Sequence, residues 1–264
     1  SFCANSICGP SRACILTGKH SHKNGFLRNG NRFDGSQMTF PKLMQDAGYQ
    51  TAIIGKWHLS SNPTGFNHWE VLPGQGSYYN PDLIQMNGEK KRYEGYCTDI
   101  ITENALAWLK DKRDPDKPFI LMCQHKAPHR NWSPPPRHFS LYKGMDIPEP
   151  ETLFDDYAGR SKLLRENEMS LKDHFFWGHD MKLHGESQYP NEFRPGLANG
   201  EYRRMTNEQK AEWDAAYQPE NDKFLKEMKA GKLSPKDVIR WKYQRYIKDY
   251  LRCIQAVDDG VGAM

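Results

Sequence analysis

The 264-residue chain is short of several things, and each shortage removes a class of answers. No run of eighteen apolar residues occurs, so no segment reads as a membrane-spanning helix. No charged-then-apolar leader opens the chain. It starts at Ser1 in the middle of a motif and stops at "AVDDGVGAM" (256–264) inside a predicted helix. Both ends read as cut, and the expectation is an internal piece of a longer domain. The six cysteines (Cys3, Cys8, Cys14, Cys97, Cys123, Cys253) include no C-x-x-C pair, and the first three are spaced like no common zinc site. Disulfide pairing stays open. Cys123, inside an apolar run, is expected to be a small buried residue. Acids are missing before Asp34, whereas Arg12, Lys19, Lys23, Arg28, Arg32, His20 and His22 all precede it. A cationic opening of this kind favours an anionic ligand. The basic residues lack the interleaved aromatics of a base-stacking platform, which argues against nucleic acid as a partner.

What is present suits one large α/β domain, with 37% apolar and 12% aromatic residues. In "CGPSRACILTG" (8–18), Pro10 and Ser11 read as first-turn residues and Gly18 as a stop. Cys8 then stands just before the helix, facing unpaired N–H groups and the positive end of the dipole. Such a spot lowers a thiol pKa and can hold an anion. "TFPKLMQDAGY" (39–49) reads as a short helix with Thr39 as N-cap and Gly48 as stop. "QTAIIGKWHL" (50–59) reads as a buried strand, "DIITENALAWLKDKRD" (99–114) as a helix and "KPFILMCQH" (117–125) as a second strand. Helix and strand in alternation predict a mostly parallel sheet flanked by helices. Ligands of such sheets collect beyond the carboxyl ends of strands, where Lys56, His58, His125 and His129 fall.

Residues 145–233 are polar and irregular, with aromatic islands and a charged helical stretch at 206–230. They read as an insertion over the sheet rim, suited to a lid or to shaping a substrate pocket, within one domain. His179 and His184 have no apparent partner there and read as polar surface. From Ser234 onward an N-cap, a proline at N1 and Asp237 at N3 open a long amphipathic helix (234–264). Its apolar stripe runs through Ile239, Tyr243, Tyr246, Tyr250, Ile254, Val257, Val261 and Met264. Asp258 and Asp259 are adjacent and so diverge, which fits solvation or capping better than a metal.

Cys8-Gly9-Pro10-Ser11-Arg12, followed by Leu16-Thr17-Gly18, resembles the C-x-P-S-R-x-x-x-L-T-G signature of the type I sulfatases. "GKWH" (55–58) and "APH" (127–129) match two further motifs in the family's order. The resemblance covers most of residues 1–130 and the closing helix, and is loose over 145–233. Within the family, "ILTGKHSHKNG" and "TFPKLMQDAGYQTAIIGKWHL" look most like N-acetylglucosamine-6-sulfatases of glycosaminoglycans or mucins. It implies an α/β, alkaline-phosphatase-like fold, incomplete at both ends here, with residues 1–264 as part of one catalytic domain. It further implies that Cys8 is oxidised by a formylglycine-generating or maturase enzyme and acts as a geminal diol. One hydroxyl attacks sulfur and releases the alcohol; the other loses its proton as the carbonyl re-forms and sulfate departs.

By the same resemblance Arg12 holds the diol. Lys56 binds a sulfate oxygen. His58 is the base of the second step, and His129 contacts the bridging oxygen as acid for the leaving alcohol. His125 is a weaker candidate for contact with the substrate. The family uses a divalent cation, usually calcium, with the formylglycine as one ligand. The family's acidic ligands have no counterpart in this sequence: neither "DDGVGAM" nor "FDDY" (154–157) follows a suitable strand, so the remaining metal ligands are expected outside this chain. The implied activity is sulfuric ester hydrolysis on a sulfated sugar in an extracytoplasmic compartment (periplasm, secretion or lysosome). The alternatives are a phosphonate or phosphate monoester hydrolase of the same superfamily, and a non-catalytic glycan-binding homologue with Cys8 unmodified.

Overall fold

The computed structural model describes residues 3–183 and 200–264. His184 lies outside the described residues. The chain forms two compact units: Ser1–Lys126 with Val257–Met264, and Ala127–Ala256.

The first unit is built on a five-stranded sheet. Its strands are β1 (Gln50–Lys56), β2 (His68–Leu72), β3 (Asp82–Gln85), β4 (Lys90–Arg92) and β5 (Phe119–Gln124), in the order β4-β3-β2-β1-β5. β1 runs parallel to β2 and to β5, as the alternation of helix and strand predicts. The sheet as a whole is mixed, because β3 and β4 add to β2 as an antiparallel hairpin. That hairpin is legible only weakly: β4 reads "KKR", fully exposed, with no alternation to announce a strand.

β1 is buried from Thr51 to Lys56, with an apolar centre at Ala52, Ile53 and Ile54, because both of its faces are covered. Ile53 faces a cluster with Ala13, Leu16, Phe33, Trp57 and Trp69, whereas Ala52 and Ile54 face Leu83, Ile100, Ile101 and Trp108. The first cluster carries helices α1 (Cys8–Thr17) and α3 (Phe40–Asp46), with α2 (Ser21–Asn24) packed against α1. The second carries α4 (Cys97–Ala107), which continues as a π-turn over Trp108–Lys112. Thr39 stands at the N-cap of α3 as expected, yet its buried hydroxyl makes no capping bond. All six cysteines are free thiols.

The second unit holds α5 (Lys162–Arg165), α6 (Asn207–Lys229) and most of α7 (Pro235–Ala263). Thr206 and Gln209 close a reciprocal capping box on α6. On α7, Asp237 N donates to Ser234 Oγ at 3.2 Å and Ser234 N to Asp237 Oδ2 at 2.9 Å, the start the sequence predicts. The stripe on α7 departs from expectation, since Ile254, Val261 and Met264 are exposed. The helix instead buries Lys242, Arg245, Asp249 and Arg252, spaced three and four apart. The reason is pairing: these charges are taken up by carbonyls and by one another.

Candidate active site

α1 begins one residue earlier than the proline suggests, so Cys8 is its first helical residue rather than the residue before it. Gly18 ends the helix at φ +64° as expected. The turn preceding Cys8 offers no side-chain cap. Asn29 fills that role from twenty residues on: its Oδ1 accepts from Gly9 N at 3.0 Å, and its Nδ2 donates to Cys8 Sγ at 3.3 Å. Gly9 makes this approach feasible, because a Cβ there would stand 2.8 Å from Asn29 Oδ1.

β1 delivers the next groups. Lys56, its last residue, is 2% exposed and donates from Nζ to Gln75 Oε1 at 2.5 Å. Gly55, at φ +108°, lets β1 and β5 close up; a Cβ there would stand 2.1 Å from the Gln124 carbonyl oxygen. Just past the strand His58 adopts φ +55°, a left-handed conformation unusual for a non-glycine residue. That twist brings His58 Nδ1 to 3.2 Å from Cys8 Sγ. Arg12, one turn along α1, donates from Nη1 to the Lys56 carbonyl at 2.6 Å and to Gln124 Oε1. A cavity of about 210 Å³ opens beside Cys8 and Arg12, floored by Ile53, Trp57 and Met122.

The electrostatics follow from crowding cations around one nucleophile. Burial works against a thiolate at Cys8, but Asn29, the charge of Lys56, the Gly9 N–H and Gln75 together outweigh it and lower the thiol's pKa. Burial, with Arg12 and Lys126 nearby, brings Lys56 down to about 8 against the opposing pull of Cys8. Burial and the same three cations hold His58 below its ordinary value, so it is a neutral base at pH 7. Lys126 is itself buried, with Nζ 4.7 Å from the centroid of the Tyr78 ring. No carboxylate pairs with Cys8, Arg12, Lys56 or His58 among the described residues. Such a pocket is short of negative charge and suits an oxyanion.

Four of the expected residues, Cys8, Arg12, Lys56 and His58, therefore meet. His125 lies elsewhere, at the end of β5, with Nε2 3.0 Å from Thr102 Oγ1 on α4. Burial lowers its pKa against the opposing charge of Asp99. His129 belongs to the second unit, where Nδ1 lies 2.5 Å from the Arg130 carbonyl oxygen; since a carbonyl only accepts, Nδ1 carries the proton. His179, read as polar surface, is half-buried. Asn29, Gln75, Gln124 and Lys126 escaped the sequence reading. Asn29 and Gln75 sit in turn-like "RNGN" and "PGQG" stretches that carry no chemical signature alone.

A calcium ion wants several oxygen donors, mostly carboxylates. The donors around Cys8 are two neutral amides and an imidazole, crowded by cations. No group of three His, Cys, Asp or Glu side chains fit to hold a metal occurs among the described residues. These residues do not fit such an ion.

A family model described as Sulfatase matches residues 1–264. An N-acetylglucosamine-6-O-sulfatase of Bacteroides thetaiotaomicron is 47% identical over 266 residues, which cover 100% of this chain and 46% of that protein. The human N-acetylglucosamine-6-sulfatase is 29% identical over 172 residues, 56% of this chain and 31% of its own. The solved structure of BT4656 in complex with its substrate D-glucosamine-2-N,6-O-disulfate superposes with a TM-score of 0.89 at 45% identity. That match covers 99% of this chain and 52% of the other. The chain thus spans about half the length of the Bacteroides enzyme and of the BT4656 chain. A family match running from the first residue to the last, on a shared fold, leaves one conclusion: the chain belongs to the sulfatase family.

Proposed function

We propose that the protein is a sulfuric ester hydrolase that removes sulfate from a sulfated sugar, with 6-O-sulfated N-acetylglucosamine as the preferred unit. The observation that carries this reading is the placement of Cys8 at a helix start, 3.2 Å from a neutral His58 and close to the cations Arg12, Lys56 and Lys126, with no carboxylate paired to Cys8, Arg12, Lys56 or His58 among the described residues. The names of the Bacteroides and human relatives support the choice of sugar.

The Cys8 sulfur stands where a hydroxyl of a formylglycine diol would stand once the side chain has been oxidised. A hydroxyl there attacks sulfur and becomes sulfated while the S–O bond to the sugar breaks and the alcohol leaves. Lys56 and Arg12 stabilise the charge that grows on the sulfate oxygens. His58, whose Nδ1 lies 3.2 Å from the Cys8 sulfur, is assigned the role of base for the second hydroxyl, so that the carbonyl re-forms and sulfate departs. His129 is assigned the role of acid to the leaving oxygen, on the motif alone. A formylglycine-generating partner is required, and because sulfated glycans lie outside the cytosol the compartment is extracytoplasmic. No described helix is long and apolar enough to cross a membrane.

The test uses the full-length protein co-expressed with a formylglycine-generating enzyme. Sulfate release is followed from N-acetylglucosamine-6-sulfate, N-acetylglucosamine-3-sulfate, N-acetylgalactosamine-4- and -6-sulfate, and an aryl phosphonate ester. Release from the first is expected. Turnover of the phosphonate alone would move the protein to the phosphonate hydrolase branch.

A further inference from the structure

In the second unit the segment 129–132, which carries His129, is gripped from several directions by residues 174–182. Arg130 Nε donates to Asp180 Oδ1 at 2.7 Å, and its Nη2 donates to Asp180 Oδ2 and to the His174 carbonyl. The guanidinium carbon lies 5.3 Å from the ring centroids of both Phe175 and Phe176. One residue on, the Asn131 carbonyl accepts from the fully buried Lys182 Nζ at 3.2 Å. Trp132, at φ +47°, stacks on Phe175 with centroids 5.4 Å apart and meets Tyr246 of α7 edge-on at 4.6 Å. A bulky residue keeps a left-handed conformation only where its surroundings over-determine it.

Asp180 is the fixed end of this arrangement. It is fully buried, its Oδ2 accepts from Phe176 N at 2.7 Å, and its own N–H donates to the Phe176 carbonyl at 2.9 Å. A carboxylate locked in its own turn and paired edge-on with one guanidinium sets both the place and the orientation of that arginine. The Arg130 carbonyl is in turn the group that His129 Nδ1 faces, at 2.5 Å. A line of contacts therefore runs from Asp180, through the side chain and backbone of Arg130, to the imidazole. With Nδ1 donating to that carbonyl, the proton the ring exchanges is the one on Nε2.

We propose that Asp180, acting through Arg130, is a positioning residue that orients His129 for proton transfer to the leaving oxygen. This rests on the function proposed above and on its assignment of His129 as the acid. As the S–O bond breaks, its electron pair goes to the sugar oxygen, which takes the Nε2 proton and departs as the alcohol, and His129 is left neutral. The irregular stretch after residue 145 then does more than cover a pocket, because one of its carboxylates aims the acid.

The test uses the full-length matured protein and two substrates. 6-O-sulfated N-acetylglucosamine loses a sugar alkoxide, which needs a proton, whereas 4-nitrophenyl sulfate loses a phenolate, which does not. His129→Ala sets the reference: kcat is expected to fall about 10²-fold on the sugar and to change little on the aryl ester. Asp180→Asn keeps the shape but removes the charge and one acceptor. It is expected to lower kcat on the sugar about tenfold with KM unchanged, and to leave the aryl ester within about twofold. In a His129→Ala background it is expected to cost nothing further. Arg130→Lys keeps a cation opposite Asp180 without the paired donors and should show the same pattern, so the proposal stays open to refutation if Asp180→Asn fails to fold; melting curves check both. An equal loss on the two substrates, a full further loss in the His129→Ala background, or no loss at all overturns the proposal. A parent that releases no sulfate from any sugar, or a His129→Ala variant with full activity on the sugar, refutes the reading on which the proposal rests and takes the proposal with it. Both results show before Asp180 is touched, so the two failures are distinguishable.

Discussion

Replacing Lys56 by methionine is expected to stabilise the fold at neutral pH while it destroys turnover. Lys56 is 2% exposed, and burial, Arg12 and Lys126 bring it from 10.5 to about 8. A displacement of that size corresponds to about 3 kcal/mol of unfavourable charge at pH 7. Methionine gives up the bond from Nζ to Gln75, a loss of about 1 kcal/mol, which leaves a net gain of about 2 kcal/mol. The sign depends on pH. Between about 8 and 10.5 the unfolded lysine still holds a proton that the folded one has released, so the parent gains stability as pH rises through that window. The advantage of the variant is therefore full below pH 8 and fades towards 10.5. Urea unfolding of the full-length protein and its Lys56→Met variant at pH 7 and pH 10 measures both limits. A variant that is less stable at pH 7, or an advantage equal at both pH values, would refute the reasoning. Sulfate release should fall about 10²- to 10³-fold, because in the proposed mechanism the charge that costs stability is the one that meets the transition state.

Asn29→Asp keeps the acceptor for Gly9 but replaces the donor to Cys8 with a negative charge; in protein from a host without the modifying enzyme, the alkylation midpoint of Cys8 should rise by about one pH unit. Peptide mapping of iodoacetamide labelling against pH reads it, and a fall in the midpoint would contradict the assignment of Asn29. Gly55→Ala sets a Cβ 2.1 Å from the Gln124 carbonyl oxygen at φ +108° and should cost about 3 kcal/mol or more, seen as a lowered melting temperature; a near-normal melt would mean the strands can part. His58→Ala in the matured enzyme should let the sulfated form of residue 8 accumulate, visible in intact-protein mass after one turnover. Absence of that adduct with substrate consumed would hand the base role to another group.

The parallel core of the sheet was legible because β1 and β5 are continuous apolar runs between helical patterns. Both ends of α1 were close to legible, since proline and glycine punctuate them. The β3–β4 hairpin was not, because short exposed strands carry no periodicity. The site divides in the same way. Cys8, Arg12, Lys56 and His58 sit in contiguous motifs, whereas Asn29 and Gln75 reach Cys8 from turns twenty-one and sixty-seven residues away, and only the fold brings them there. The α7 stripe misled for a different reason. Apolar periodicity marks a buried face only when charges lie on the other side, and here Asp249, Arg252 and Lys242 find partners inside.

Arg12 has a consequence for how any ligand must arrive. A guanidinium offers five N–H groups, and two of them, both on Nη1, are given to the Lys56 carbonyl and Gln124. Three remain, one on Nε and two on Nη2, and along the Nε–Nη2 edge two parallel donors match two oxygens of one tetrahedral anion. A tetrahedral anion that meets this edge side-on gives it two oxygens and keeps its other two for neighbouring groups. Ligands that present a lone oxygen engage half of that edge, so planar carboxylates and tetrahedral oxyanions should outrank neutral mimics as leads for inhibitors.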